Sequence, residues 1–115
     1  MAEGSGGIRQ DFTGAEGITP GEYRTLRYVD DSVDSMAGWG VEWFLLTSLN
    51  SANGIDELRD KATVHKTLIS PTAPNIDIPL EPDDLPKPQM YAHELWRTDE
   101  GNVRRLSYGS FEVIA

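Results

Sequence analysis

The chain has 115 residues, with 19 acids against 10 bases, two histidines and no cysteine. That length suits one domain with a real core, and the missing thiols exclude disulfides, iron–sulfur clusters, thiolate zinc sites and cysteine nucleophiles. A net charge of −9 supplies no basic footprint for nucleic acid and no attraction to an anionic membrane.

The chain opens Met1-Ala2-Glu3-Gly4-Ser5-Gly6-Gly7. This stretch has neither the basic region nor the apolar region of a signal peptide. Its glycines and serine predict a flexible arm over residues 1–20, able to order on a neighbouring subunit. Ile8 on that arm is a candidate partner contact. Residues 21–115 are expected to form the domain. Pro20-Gly21 marks a turn, and residues 23–29, rich in aromatic and β-branched side chains, predict a strand. Asp30, Asp31 and Asp34 sit in an acidic loop. Residues 40–47 are the most apolar segment and carry large side chains on both faces of a strand, as a central strand or one covered by a neighbour does; a short buried helix is the competing reading of its periodicity. The longest apolar run, Trp43 to Leu46, is four residues, far below the ~20 that a membrane span needs.

Residues 48–61 are the one helical candidate. Ile55 and Leu58 are three apart, and Asp56 and Glu57 suit a first turn. Asn53-Gly54 offers a turn between strands as the competing reading. Residues 62–70 alternate as a strand, ended by Pro71 and Pro74. Asn75–Leu80 places Ile76, Ile78 and Leu80 on one face. Residues 81–88 hold three prolines and are loop by composition. Gln89–Arg97 sets Tyr91, His93 and Leu95 against Met90, Ala92, Glu94 and Trp96. Thr98 to Asn102 makes a hairpin connection, with Gly101 supplying positive φ. Residues 103–108 return as a strand, Gly109 suits a bulge or bend, and Phe111, Val113 and Ala115 close the chain on one face. Short strands separated by turn signals, with no helices long enough for parallel α/β architecture, predict an all-β protein built as an antiparallel β-sandwich.

Reactive signatures are sparse. The acidic loop lacks the alternating order of a calcium-binding EF-hand and reads as a solvated turn, as does Asp83-Asp84. His65 and His93 fall on different predicted strands with no metal-ligand spacing and read as ordinary strand residues. No Gly-x-Ser-x-Gly elbow or phosphate-binding glycine loop occurs. No catalytic residue, metal or cofactor is assigned. Trp43 reads as core. Trp39 and Trp96 flank polar loops and, with Tyr91, are candidate partly exposed contacts for a protein or a sugar ring.

From Trp43 onward the order of features is that of a known group. An apolar strand bearing Trp43 and Phe44 is followed by Lys61-Ala62-Thr63 and by Asn75-Ile76-Asp77-Ile78-Pro79-Leu80. An acidic and proline-rich link, Glu81 to Pro88, leads to Tyr91-Ala92-His93-Glu94-Leu95-Trp96 and a hairpin at Asp99-Glu100-Gly101. The last strand is Leu106-Ser107-Tyr108-Gly109-Ser110-Phe111-Glu112-Val113. This resembles the small immunoglobulin-like β-sandwich modules of tailed-bacteriophage virions, in particular the N-terminal domain of upper-baseplate and tail proteins. Tyr91, His93 and Leu95 match the family's Tyr-x-Tyr-x-Leu strand, with His93 in place of the second aromatic. Gly109, Phe111 and Val113 match its closing Gly-x-Phe-x-Val strand. The hairpin is one residue longer than the family's Asp-Gly, and the resemblance covers residues 23–115.

The resemblance implies a non-catalytic virion protein that binds other virion subunits in many symmetric copies, on tail, neck, baseplate or capsid as a decoration. The alternative is a carbohydrate-binding or host-receptor adhesin module that stacks sugars on Trp39, Trp96 and Tyr91. Nucleic acid and membrane are not expected partners.

Overall fold

A computed structural model describes residues 7–19, 23–47 and 55–114. The Pro20-Gly21 and Asn53-Gly54 turns and the first half of the helical candidate lie outside them. The described strands are β1 (Ile8–Arg9), β2 (Arg24–Val29), β3 (Gly40–Leu46), β4 (Val64–Ile69), β5 (Asn75–Leu80), β6 (Gln89–Arg97) and β7 (Arg104–Val113). One α-helix among the described residues, α1 (Ile55–Lys61), precedes β4. The chain is therefore mostly β, as its alternating patterns predict.

The strands form two sheets, a five-stranded one in the order β1-β7-β6-β3-β4 and a two-stranded one of β2 and β5. Every pairing between strands is antiparallel except β1 with β7, which is parallel. The expected wholly antiparallel sandwich is corrected at this edge. A strand that pairs with the C-terminal strand from the other end of the chain needs no hairpin, so its direction is free.

The main core lies between the sheets. Leu26, Tyr28, Ile76, Ile78 and Leu80 from the small sheet meet Val41, Trp43, Leu45, Tyr91, Leu95, Leu106, Phe111 and Val113 from the large one. A second cluster covers the opposite face of the large sheet. There Ile55 and Leu58 of α1 pack on Phe44, Leu46, Ala92 and Trp96. A seven-residue helix is too short to stand alone, and these two buried side chains, three apart, fix it to the sheet. The two-faced apolar pattern of β3 thus reports a strand covered on both sides.

Residues 103–113 do not break at Gly109. β7 is continuous there, and Gly109 pairs with His93. The irregularity lies further back: Leu95 faces Ser107 and Trp96 faces Arg105. Leu106 is the unopposed residue, and it is buried in the core. The bulge expected at Gly109 is corrected to Leu106, where an extra residue gains apolar burial.

The described part of the expected flexible arm is also different. Residues 7–19 run along the outer edge of β7. Gln10 N–H donates to the Tyr108 carbonyl at 2.8 Å, Phe12 N–H to Ser110 at 2.8 Å and Ile18 N–H to Glu112 at 3.0 Å. In return, Glu112 N–H donates to the Phe12 carbonyl at 2.8 Å and Ile114 N–H to Ile18 at 2.9 Å. Between Phe12 and Ile18 the chain loops out through a 3-10 turn at Gly14–Glu16. Ordering follows from the unpaired groups of β7, which this segment satisfies.

Candidate functional site

The candidate site is this β7 edge. Gly109 has no side chain where the N-terminal segment crosses it; a Cβ there would lie 2.1 Å from the Gln10 carbonyl oxygen and 2.7 Å from Asp11 Oδ1. Glycine is therefore required by close backbone approach, one of the meanings of a strand glycine. Asp11 uses the approach: its Oδ1 accepts the Ser110 N–H at 2.8 Å. That bond, followed by the Arg9 guanidinium at 3.0 Å, holds the Asp11 carboxyl below the ordinary range.

His93 joins the segment to the core. Trp43 Nε1 donates to His93 Nδ1 at 3.3 Å, so Nε2 carries the proton and donates to the Gln10 carbonyl at 2.6 Å. Burial lowers the His93 pKa, a shift that the bond to Gln10 partly opposes. The Phe12 ring lies 5.2 Å from the His93 ring and 5.9 Å from Phe111, centroid to centroid. Trp43 lies 5.6 Å from Phe111. Within the loop-out, Gly14 N–H donates to Glu112 Oε1 at 2.8 Å, and beyond it Ile18 is fully buried. A backbone ladder, an aromatic anchor and a buried aliphatic anchor hold residues 7–19 as strand added to the β7 edge. The cavity beside it, lined in part by Gln10, Phe12, Trp43 and His93, is about 10 Å³, about one water in volume.

The other polar cluster lies on the opposite face of the sheet. Glu42 is buried and accepts Arg59 Nε at 2.8 Å and bonds His65 Nε2 at 2.7 Å. Burial alone would raise its pKa; hydrogen bonds from Arg59, Thr98 and His65 more than reverse this and lower it to about 2. Glu94 is wholly buried beside it. Its Oε1 accepts Trp96 Nε1 at 3.0 Å and Arg105 Nη1 at 3.4 Å, while Oε2 has no hydrogen-bond partner among the described residues. Such a group costs stability. Phe44 pairs with His65 and the next residue, Leu45, with His93. The two histidines therefore face opposite sides of the sheet and cannot act on one substrate.

The expected contact residues divide sharply. Ile8 is 52% exposed and lies on β1, in the strand-addition site. Trp39, Trp96 and Tyr91 are 6, 4 and 4% exposed, which corrects the expectation of partly exposed rings. The Arg97 guanidinium caps Trp39 at 4.0 Å, α1 roofs the cluster that holds Trp96, and the Tyr91 hydroxyl donates to the Lys87 carbonyl at 2.7 Å. Asp30, in the acidic loop, accepts the Ser32 N–H at 3.1 Å and closes an Asx turn. Sequence reasoning missed Gln10, Asp11 and Phe12, because nothing local marks them: their partners lie about a hundred residues away. It also missed Glu42 and Glu94, whose signal is an acid set between apolar neighbours on a strand.

No family model, curated protein or solved structure matches the chain.

Proposed function

We propose that this chain is a non-catalytic structural protein of a bacteriophage virion, an immunoglobulin-like β-sandwich that binds other virion subunits on tail, neck, baseplate or capsid. The observation that carries the reading is the β7 edge, where a segment remote in sequence is bound by strand addition around Gly109. Proteins that assemble by backbone pairing need an edge of this kind. The pattern from Trp43 to Val113 adds the resemblance to phage virion modules. A −9 charge keeps the free subunit soluble and makes docking onto a basic surface salt-sensitive. Burial of Trp39, Trp96 and Tyr91 leaves the sugar-stacking alternative without its platform.

Mass spectrometry of purified phage particles tests the reading. The protein is expected in the particle, with hundreds of copies pointing to capsid and a few to dozens pointing to tail or neck. Its absence from particles overturns the proposal.

A further inference from the structure

The N-terminal segment is held to the domain through contacts that do not depend on which chain supplies it. Its backbone ladder runs from Gln10 to Ile18 against Tyr108 to Ile114. Its side-chain contacts go to Ser110, His93, Phe111 and Glu112. Its ion pair with the strand that follows it in sequence, Arg24 with Glu16, is long at 3.7 Å, and Phe12 and Ile18 share the core with Leu26 and Tyr28 of that strand. Only Pro20, Gly21 and Glu22 separate it from residue 23 in sequence. Exchange between two chains would therefore preserve nearly every bond, the condition under which domain swapping is a low-cost route to association.

We infer that the β7 edge is an acceptor for the N-terminal segment of a second copy of this chain, so that residues 7–19 pair in trans in the associated state. The occupant follows from the fit. Gly109 leaves room for backbone at Gln10, where a Cβ would stand 2.1 Å away. Asp11 meets the Ser110 N–H, Phe12 meets His93 and Phe111, and Ile18 is completely enclosed. The ligand this edge is shaped for is this chain's own sequence, which another protein would have to imitate. Parallel pairing of β1 with β7 also means that no hairpin ties the segment to its acceptor. The opposite edge, β4, does not offer the same opening: Lys66 points to the inner face and bonds Asp84 at 2.7 Å, and an inward charge discourages strand addition. The inference stands on the β7 edge alone and holds whatever assembly the chain serves.

The absence of cysteine from the sequence makes a clean test. Arg9 pairs with Tyr108 in the β1–β7 register. One full-length chain carries Arg9→Cys and another Tyr108→Cys; the two are refolded together over a range of concentrations and oxidised. A disulfide-linked heterodimer whose yield rises with concentration is expected, well above that of a control pair carrying Thr25→Cys and Tyr108→Cys. The Arg9→Cys, Tyr108→Cys double variant should close within one chain on dilution and link chains when concentrated. Heterodimer at or below the control level at every concentration overturns the inference. Native mass spectrometry of the unaltered chain guards against a folding defect in the variants: a dimer that exchanges isotope-labelled chains is expected, and monomer alone at all concentrations overturns it.

Discussion

The two edges of the five-stranded sheet are finished in opposite ways. At β7 the unpaired backbone is filled by residues 7–19, with Gly109 cleared for the approach and His93 bonded to the incoming carbonyl. At β4 the described residues add no further strand. That edge is guarded by side chains: Lys66 turned inward onto Asp84, and His65 on the outer face bonded to Glu42. Ile69 stands 80% exposed at its end. The contrast teaches that an acidic, cysteine-free domain can separate wanted from unwanted pairing by edge chemistry alone. One edge admits a chosen sequence through shape, and the other is protected by charge.

The largest effect is expected at Gly109. Gly109→Val places side-chain atoms where the Gln10 carbonyl now lies, and overpacking against backbone should cost about 3 kcal/mol or more. Urea denaturation reads the loss, and hydrogen exchange should show Gln10, Phe12 and Ile18 unprotected while the β3–β4 pairing holds. Unchanged stability would mean that the segment does not approach β7 this closely. Ile18→Ala comes next. Removing a fully buried isoleucine side chain should cost about 2–4 kcal/mol, with exchange rising at Ile114, whose amide bonds the Ile18 carbonyl.

Acid separates the two faces of the sheet. His93 has a pKa lowered from 6.5 by burial, so below that value the unfolded chain takes the proton more readily. Stability held above pH 6.5 is therefore lost as pH falls toward the folded value. Glu42 is lowered from 4.5 to about 2. Its contribution is complete above 4.5 and fades as pH falls from there toward 2. Melting temperature against pH should thus decline in two stages. His93→Phe should abolish the first stage, at a cost of about 1–3 kcal/mol at neutral pH for stranding Trp43 Nε1 and the Gln10 carbonyl. Glu42→Gln should shrink the second, to which Asp99, held at about 2 by its hydrogen bond from Arg97, and Asp11 also contribute. A single-stage profile in the unaltered chain would contradict the account.

The smallest effect on folding is expected at the guarded edge. Lys66→Ile removes a partly exposed ion pair and should change stability by less than about 1 kcal/mol. It should nevertheless make the protein self-associate through β4, seen by sedimentation velocity. A variant that sediments as the unaltered chain does would remove the guarding role from Lys66.

Much of the domain was legible because its strands carry their own periodicity. Asn75–Leu80 alternates strictly, and β3, apolar on both faces, announced cover on each side. The β7 edge was not legible, for a physical reason. Ile8, Phe12 and Ile18 are spread four and six residues apart and interrupted by Gly14 and Gly17, so locally they read as arm. Their order comes from β7, at the other end of the chain. Gly109 was visible as a special position, but a glycine in a strand signals a bulge or a close approach equally well, and only the partner segment decides between them. Trp39 and Trp96 misled because flanking polar loops suggest exposure. Arg97 and α1 lie across these rings, and sequence order does not reveal a lid formed by tertiary packing.

Amide hydrogen exchange on the unaltered full-length chain tests the central claim most directly. If residues 7–19 are bound to β7 by strand addition, the amides of Gln10, Phe12 and Ile18 exchange slowly, protected together with those of Glu112 and Ile114. Exchange at Gln10, Phe12 and Ile18 as fast as in an unstructured peptide, with β7 amides equally open, would contradict it.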